Sequence, residues 1–269
     1  MPPLLDPSDR RPLHFVGIAG AGMSGLAELY LRQGVAVTGC DLHPEAAGDL
    51  VRLGVDVAAG HDPRHVESAR AVIVSSALPR SHPELERARA LNVPVIRRAE
   101  ALAEAVSGGR VIGIAGTHGK TTTTVMTTLA LRGASTHATG IVGGRVAAWA
   151  GNMSYDGDDV FVVEADEYDR SFLALSPEVA VITNVEADHL DIYRDLDDIR
   201  DAFATFAHGA RGVVYSADDT GARSIQLSGQ AERMGYALDA PDARLRAVEL
   251  RVDHHELPGL NPGYTGTRT

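Results

Sequence analysis

The stretch Val111-Ile112-Gly113-Ile114-Ala115-Gly116-Thr117-His118-Gly119-Lys120-Thr121-Thr122-Thr123 constrains this chain more than any other. A β-branched run ends in small residues, Gly-Lys-Thr follows, and Val125, Met126, Leu129 and Ala130 then recur at helical spacing. The order is strand, tight loop, helix. Such a loop turns backbone N–H groups toward a phosphate chain, and the helix N-terminus adds partial positive charge. On that reading Gly116, Thr117, His118, Gly119, Lys120, Thr121 and Thr122 cradle the phosphates of a nucleotide. Lys120 reaches the β- and γ-phosphates, and the Thr121 hydroxyl sits on Mg²⁺. The general P-loop pattern is met in part, because its first glycine falls on Ile114. A purely structural glycine turn would leave a buried lysine without an anion, which is costly. His118 has two readings, a phosphate or substrate contact and a spacer within the loop.

With 269 residues and 44% hydrophobic content, the chain has room for one large or two ordinary domains with real cores. A formal net charge of −11 argues against nucleic acid as a partner, which would need a basic stripe. It suits an enzyme that holds phosphates with a few local donors and Mg²⁺. A single cysteine, Cys40, excludes an internal disulfide and a cysteine-cluster metal site, and points to a reducing compartment. Residues 1–13 carry prolines and charges without the apolar core of a secretory signal, and no run reaches membrane-spanning length. No membrane insertion is expected, and the expected address is the cytoplasm. Oligomeric state leaves no mark in the sequence.

The fold class read from the pattern is α/β. His14 to Ile18 reads as a strand that runs into Ala19-Gly20-Ala21-Gly22-Met23-Ser24-Gly25, after which Met23, Leu26, Ala27, Tyr30 and Leu31 follow at helical spacing. Gly20, Gly22 and Gly25 satisfy G-x-G-x-x-G at a strand-to-helix turn, and a second strand, Val35 to Cys40, ends in Asp41 where a dinucleotide fold places its ribose-binding acid. The same glycines also serve close packing of helix on strand. Ala71 to Val74 suits a buried parallel strand whose end, Ser75-Ser76-Ala77, can face a ligand. A helix from Pro83, a strand over 93–96 and a helix over 99–106 follow, and Ser107-Gly108-Gly109 reads as a linker. The expected organisation is a Rossmann-like parallel-sheet domain over 1–107, an incomplete P-loop α/β ATP-binding domain over 108–256, and an irregular tail over 257–269. Arg244 to Val252 alternates like a half-exposed strand.

Two further strand ends carry the chemistry. Asp159 to Glu164 and Val179 to Asn184 are buried-strand candidates with polar tips, and ligands in open α/β sheets collect outside the carboxyl ends of strands. Glu164, Asn184, Asp188 and His189 can therefore converge on the phosphates. Glu164 suits a hard cation, with the adjacent Asp166 and Glu167 as acids of the loop or as supports behind the ligands. His189, beside Asp188, can hold a second divalent ion through a neutral imidazole. The other ten histidines gain no such support. Leu196, Ile199, Ala202, Phe203 and Phe206 share a helix face, and 212–215 reads as a further strand.

Together Gly17-Ile-Ala-Gly-Ala-Gly-Met-Ser-Gly, Ser75-Ser-Ala-Leu-Pro, Gly116-Thr-His-Gly-Lys-Thr-Thr-Thr, Glu164-Ala-Asp-Glu-Tyr-Asp-Arg-Ser-Phe-Leu and Thr183-Asn-Val-Glu-Ala-Asp-His-Leu-Asp-Ile-Tyr resemble the Mur ligase family. The likeness runs from about His14 to about Asp219. Within the family, the glycine-methionine opening and the Thr-His pair favour the alanine-adding member or the relative that ligates recycled murein peptides. The resemblance implies three domains, of which the third has no counterpart here, and the chain looks truncated or frameshifted. It implies ATP-dependent amide formation in peptidoglycan synthesis, with UDP-N-acetylmuramate and L-alanine as substrates and an acyl phosphate between them. By match to the motifs, Lys120, Glu164 and His189 would be catalytic, Thr121 and Glu164 would hold the first Mg²⁺, and His189 a second. Gly116 to Thr122 and Asn184 would meet ATP, while Gly20, Ala21, Gly22, Met23, Asp41, Ser75, Ser76 and Ala77 would face the UDP-sugar. Two other readings remain: a fragment that binds nucleotide or UDP-sugar without turnover, and a general P-loop ATPase with an NAD-binding domain.

Overall fold

The computed structural model of the chain describes residues 3–227 and 231–248. The buried run Leu13–Val16 forms β1, the centre of a first sheet. Then come α1 (Ala21–Arg32), β2 (Val37–Asp41), the short α2 (Gly48–Arg52), β3 (Asp56–Ala59), β4 (Ala71–Val74), α3 (Pro83–Ala90), β5 (Val95–Arg97) and α4 (Arg98–Val106). The strands are parallel in the order β3-β2-β1-β4-β5. Because β2 and β4 flank β1 on opposite sides, the loops after β1 and β4 part and leave a crevice at the carboxyl ends of the strands. The alternation of β1 divides the core. Leu13 and Phe15 pack with Leu26, Leu29 and Tyr30 of α1, whereas Val16 joins Cys40, Val72, Val74, Leu85 and Ala88 on the other face.

The second sheet begins with β6 (Arg110–Ala115), followed by α5 (Lys120–Gly133), β7 (Ala138–Val146), β8 (Gly151–Ser154), β9 (Val160–Glu164), β10 (Val179–Ile182), α6 (Leu196–Phe206), β11 (Gly212–Ser216), α7 (Thr220–Ser224), β12 (Glu232–Ala237) and β13 (Leu245–Arg246). Among the described residues the order is β13-β12-β11-β10-β6-β9-β7-β8, parallel except where β8 runs back along β7. The β7–β8 hairpin has no forerunner in the sequence reading. The two sheets meet where α1 lies on this hairpin: Asn152 Nδ2 donates to the Ala21 carbonyl at 2.6 Å, and Arg145 pairs with Asp49 at 3.1 Å.

Two expectations change and one gains detail. Ser107-Gly108-Gly109, expected as a linker, is a turn between α4 and β6, where a Cβ on Gly109 would come within 2.3 Å of the Asp158 carbonyl oxygen. In α5 the stripe Val125, Met126, Leu129, Ala130 does not face the core. Met126 and Leu129 are 65% and 55% exposed, while Thr124 and Thr128 are fully buried. Their hydroxyls donate to the carbonyls of Lys120 and Thr124 at 2.9 and 2.8 Å, so these buried oxygens are satisfied within the helix. Of the strand expected over 244–252, Leu245–Arg246 pairs with β12; residues 249–252 and the expected tail lie outside the described residues.

Candidate functional site

β6 lies between β9 and β10, so the loop leaving it is flanked by Glu164 on one side and Asn184 on the other. That loop must pass close to β10: Gly116 has φ +138°, and a Cβ there would come within 2.0 Å of Thr183 Oγ1. Asn184 grips the loop from outside. Its Oδ1 accepts the His118 N–H at 2.8 Å, and its Nδ2 donates to the His118 carbonyl at 3.1 Å. The amide expected on the nucleotide is therefore engaged by loop backbone, and Asn184 shapes the cradle. His118 itself is exposed.

Lys120 opens α5 with its ammonium turned inward. Nζ donates to Glu167 Oε2 at 2.8 Å, to Oε1 at 3.1 Å and to the Gly116 carbonyl at 2.9 Å. The Glu167 side chain is 3% exposed, so the pair is desolvated and each charge needs the other. Asp166, the other acid next to Glu164, is half exposed. Glu167 thus stands in the site and not merely in the loop around it. Its spacing from Glu164 gave no sign of this, because the turn into Tyr168–Ala174 folds it back under the lysine.

One residue on, the Thr121 hydroxyl donates to Glu164 Oε2 at 2.9 Å, and the Gly143 N–H of β7 meets the same oxygen at 3.0 Å. A hydroxyl and a carboxylate brought together at a helix N-terminus form an all-oxygen donor set of the kind a hard cation takes, so these residues fit Mg²⁺. His189 Nε2 lies 3.9 Å from Glu167 Oε1 and 3.8 Å from Asp188 Oδ2. Its ring stands edge-on to Tyr168 at 5.2 Å. His189, Asp169 and Arg170 all hold positive φ, at 53°, 50° and 60°. Non-glycine residues in that region carry strain, and here two of them stand in the turn after β9 that also carries Glu167. Burial pushes the Tyr193 hydroxyl up to about 12, and it donates to the Glu167 carbonyl at 2.7 Å.

A cleft of about 270 Å³ opens between the two sheets. Gly20, Ala21, Gly22, Met23 and Ser75 line it from the first sheet; Ile141, Gly143, Glu164 and Asp166 line it from the second. Arg98, unnoticed in the sequence, forms part of the wall beside Gly22. Ser76 lines an adjacent recess with Arg97, Arg98 and Arg170, and Ala77 points outward to solvent. Asp41 is not among the residues lining the cleft. Its two oxygens accept the Ala19 and His43 N–H groups, each at 2.9 Å, so it holds the glycine turn in shape.

Comparison with known proteins matches residues 12–110 to the Mur ligase family catalytic domain and residues 114–261 to the Mur ligase middle domain. A UDP-N-acetylmuramate–L-alanine ligase of Thermobifida fusca is 47% identical over 90% of this chain and 52% of its own length. Its counterpart in Rubrobacter xylanophilus is 42% identical over 88% of this chain and 54% of its own. The chain spans about half the length of these curated relatives. Among solved structures, the UDP-N-acetylmuramate–alanine ligase of Thermotoga maritima aligns with a TM-score of 0.75 at 29% identity, covering 85% of this chain and 53% of that one. The UDP-N-acetylmuramate:L-alanyl-gamma-D-glutamyl-meso-diaminopimelate ligase of Neisseria meningitides aligns at 0.76 and 27% identity, covering 85% and 78%.

Proposed function

The chain belongs to the Mur ligase family, and on that premise we propose that it supplies the UDP-sugar-binding and ATP-binding parts of an ADP-forming amide ligase joining L-alanine to UDP-N-acetylmuramate. Residues 1–107 form the sugar-nucleotide domain in this reading, and the ATP domain runs from 108. The observation that carries it is the shared cleft, with the glycine turn on one wall and Glu164 on the other. A carboxylate-bearing sugar held by Gly20 to Met23 and Ser75 would present its acid to a γ-phosphate held at Lys120. Attack of that carboxylate on the γ-phosphorus releases ADP and forms an acyl phosphate, from which the amine of alanine displaces inorganic phosphate.

Two anions must approach, so the residues' task is to neutralise charge and fix geometry. Thr121 and Glu164 would hold one Mg²⁺ and His189 a second; bound there, the metal supplies charge neutralisation between carboxylate and phosphate. Asn184 and Thr183 hold the His118 backbone at both its N–H and its carbonyl, which would fix the shape of the loop around the phosphates. The Gly143 N–H orients the Glu164 carboxylate from the hairpin side.

Calorimetry on the native chain and on Lys120→Ala tests this reading. ATP affinity should fall about a hundredfold, ~2.8 kcal/mol, while UDP-N-acetylmuramate binding stays within a few-fold. If a Lys120→Ala protein with native circular dichroism keeps its ATP affinity, or loses both ligands together, the assignment fails.

A further inference from the structure

On the face of the first sheet turned away from the cleft, one buried carboxylate gathers a thiol and four imidazoles. Glu84, in the first turn of α3, is fully buried. Its Oε1 lies 2.9 Å from His65 Nδ1, 3.1 Å from Cys40 Sγ and 4.0 Å from His14 Nε2. Its Oε2 lies 3.1 Å from His61 Nδ1 and 3.7 Å from His82 Nδ1. No described lysine or arginine pairs with it. An isolated carboxylate in such a place is expensive unless a cation accompanies it. Two buried nitrogens of the cluster, His14 Nε2 and His82 Nδ1, have no hydrogen-bond partner.

We propose that His14 Nε2, Cys40 Sγ, His65 Nδ1 and Glu84 Oε1 bind one Zn²⁺ ion that braces α3 against β1 and β2. These four atoms all lie within 4.8 Å of one another. Zinc bonds of about 2.0 Å to nitrogen and 2.3 Å to sulfur set tetrahedral edges of roughly 3.3–3.6 Å, so the widest edge closes by about an ångström. Thiolate and imidazole select zinc over the hard Mg²⁺ that the cleft would hold. Four protein donors leave no open position, which marks a structural site.

His14 is placed for this task, whereas the Nδ1 hydrogen that His65 gives to Glu84 must leave that nitrogen as the ion binds. His14 is cross-strand from Thr38, and its Nδ1 lies 3.0 Å from the Thr38 hydroxyl; with the ring's hydrogen on Nδ1, the Nε2 lone pair faces the cluster. Burial holds His14 down at about 4, in the neutral form a metal needs. Burial also pushes the Cys40 thiol up, so the thiol is protonated without metal and gives its proton to solvent as zinc binds. Burial works to raise the Glu84 carboxyl as well, but hydrogen bonds from Cys40 and His65 outweigh it and keep the carboxyl below its ordinary value. His61 and His82 stand on the other oxygen.

The test is titration of the full, tag-free, chelator-stripped chain with Co²⁺ and then Zn²⁺. One equivalent of Co²⁺ should give a thiolate-to-cobalt charge-transfer band and the strong visible bands of a four-coordinate ion, both bleached by zinc. Cys40→Ser should abolish the charge-transfer band. Thr38→Val should keep it while weakening Co²⁺ binding about ten- to a hundredfold, the effect of removing a hydrogen bond behind a ligand. Absence of the band in the native chain overturns the proposal. So does a Thr38→Val titration identical to the native one, or His65→Ala and Glu84→Gln proteins that bind Co²⁺ as tightly as the parent, since the ion would then sit elsewhere on the surface.

Discussion

Asp198 lies in the first turn of α6 with its side chain 10% exposed, and it accepts the Arg170 guanidinium at 2.6 Å and the Arg194 N–H at 3.1 Å. Those hydrogen bonds, Arg170's first, hold its carboxyl down at about 2 against an ordinary 3.8. The folded state thus takes up this proton less readily than the unfolded chain. The stabilisation is complete above about pH 4 and is lost as pH falls through about 2. Arg170→Met should return Asp198 toward its ordinary value in carboxyl NMR titrations and move the acid-unfolding midpoint to higher pH; an unmoved midpoint would mean the pair adds nothing. The same guanidinium lies 4.7 Å over the Tyr193 ring, whose hydroxyl holds the Glu167 carbonyl. None of this was readable beforehand, because Arg170 and Asp198 stand 28 residues apart and meet only through the turn after β9. Lys120, Thr121 and Glu164 stand at the helix start and strand tip that the pattern marked, whereas His189 lies in the loop between β10 and α6.

Short elements depend on their caps. Asp195 caps α6 by accepting the Asp198 N–H at 2.8 Å. Asp219 caps α7 through Ala222 N–H at 2.7 Å, and the same oxygen also takes the Val185 N–H at 3.0 Å, tying α7 to the strand end that carries Asn184. Asp195→Ala should cost about 1 kcal/mol in urea unfolding. Asp219→Ala should cost roughly 2–3 kcal/mol, since it also strands the Val185 N–H; equal costs would refute the double role. Apolar periodicity revealed most strands and the α6 face. It misled at α5, where the buried Thr124 and Thr128 satisfy their hydroxyls on their own helix. It was silent at β7–β8, where Gly140, Gly143, Gly144 and Gly151 dilute any alternation. The Glu84 cluster left no periodic trace either, being drawn from two strands, the chain between β3 and β4, and α3.

Across the whole molecule, the cleft exists because α1 rests against the β7–β8 hairpin. A Cβ on Gly25 would come within 3.3 Å of Asn152 Cβ, so a side chain there crowds the hairpin. Gly25→Leu should pry the sheets apart, raising the radius of gyration in X-ray scattering and weakening UDP-N-acetylmuramate binding roughly tenfold or more. Unchanged scattering with unchanged affinity would show that the contact does not set the cleft. The order of both sheets could be anticipated in outline from two successive glycine loops, but their mutual placement could not, since it rests on single contacts such as Asn152 to Ala21. The Lys120–Glu167 pair has one more consequence. A polyphosphate reaching this loop finds a lysine already neutralised, so binding is an exchange of counter-ions and its yield is only the difference between two pairings. On the proposed function, a phosphate group too short to dislodge both carboxylate oxygens would gain little, and competition inside the protein itself would discriminate by chain length.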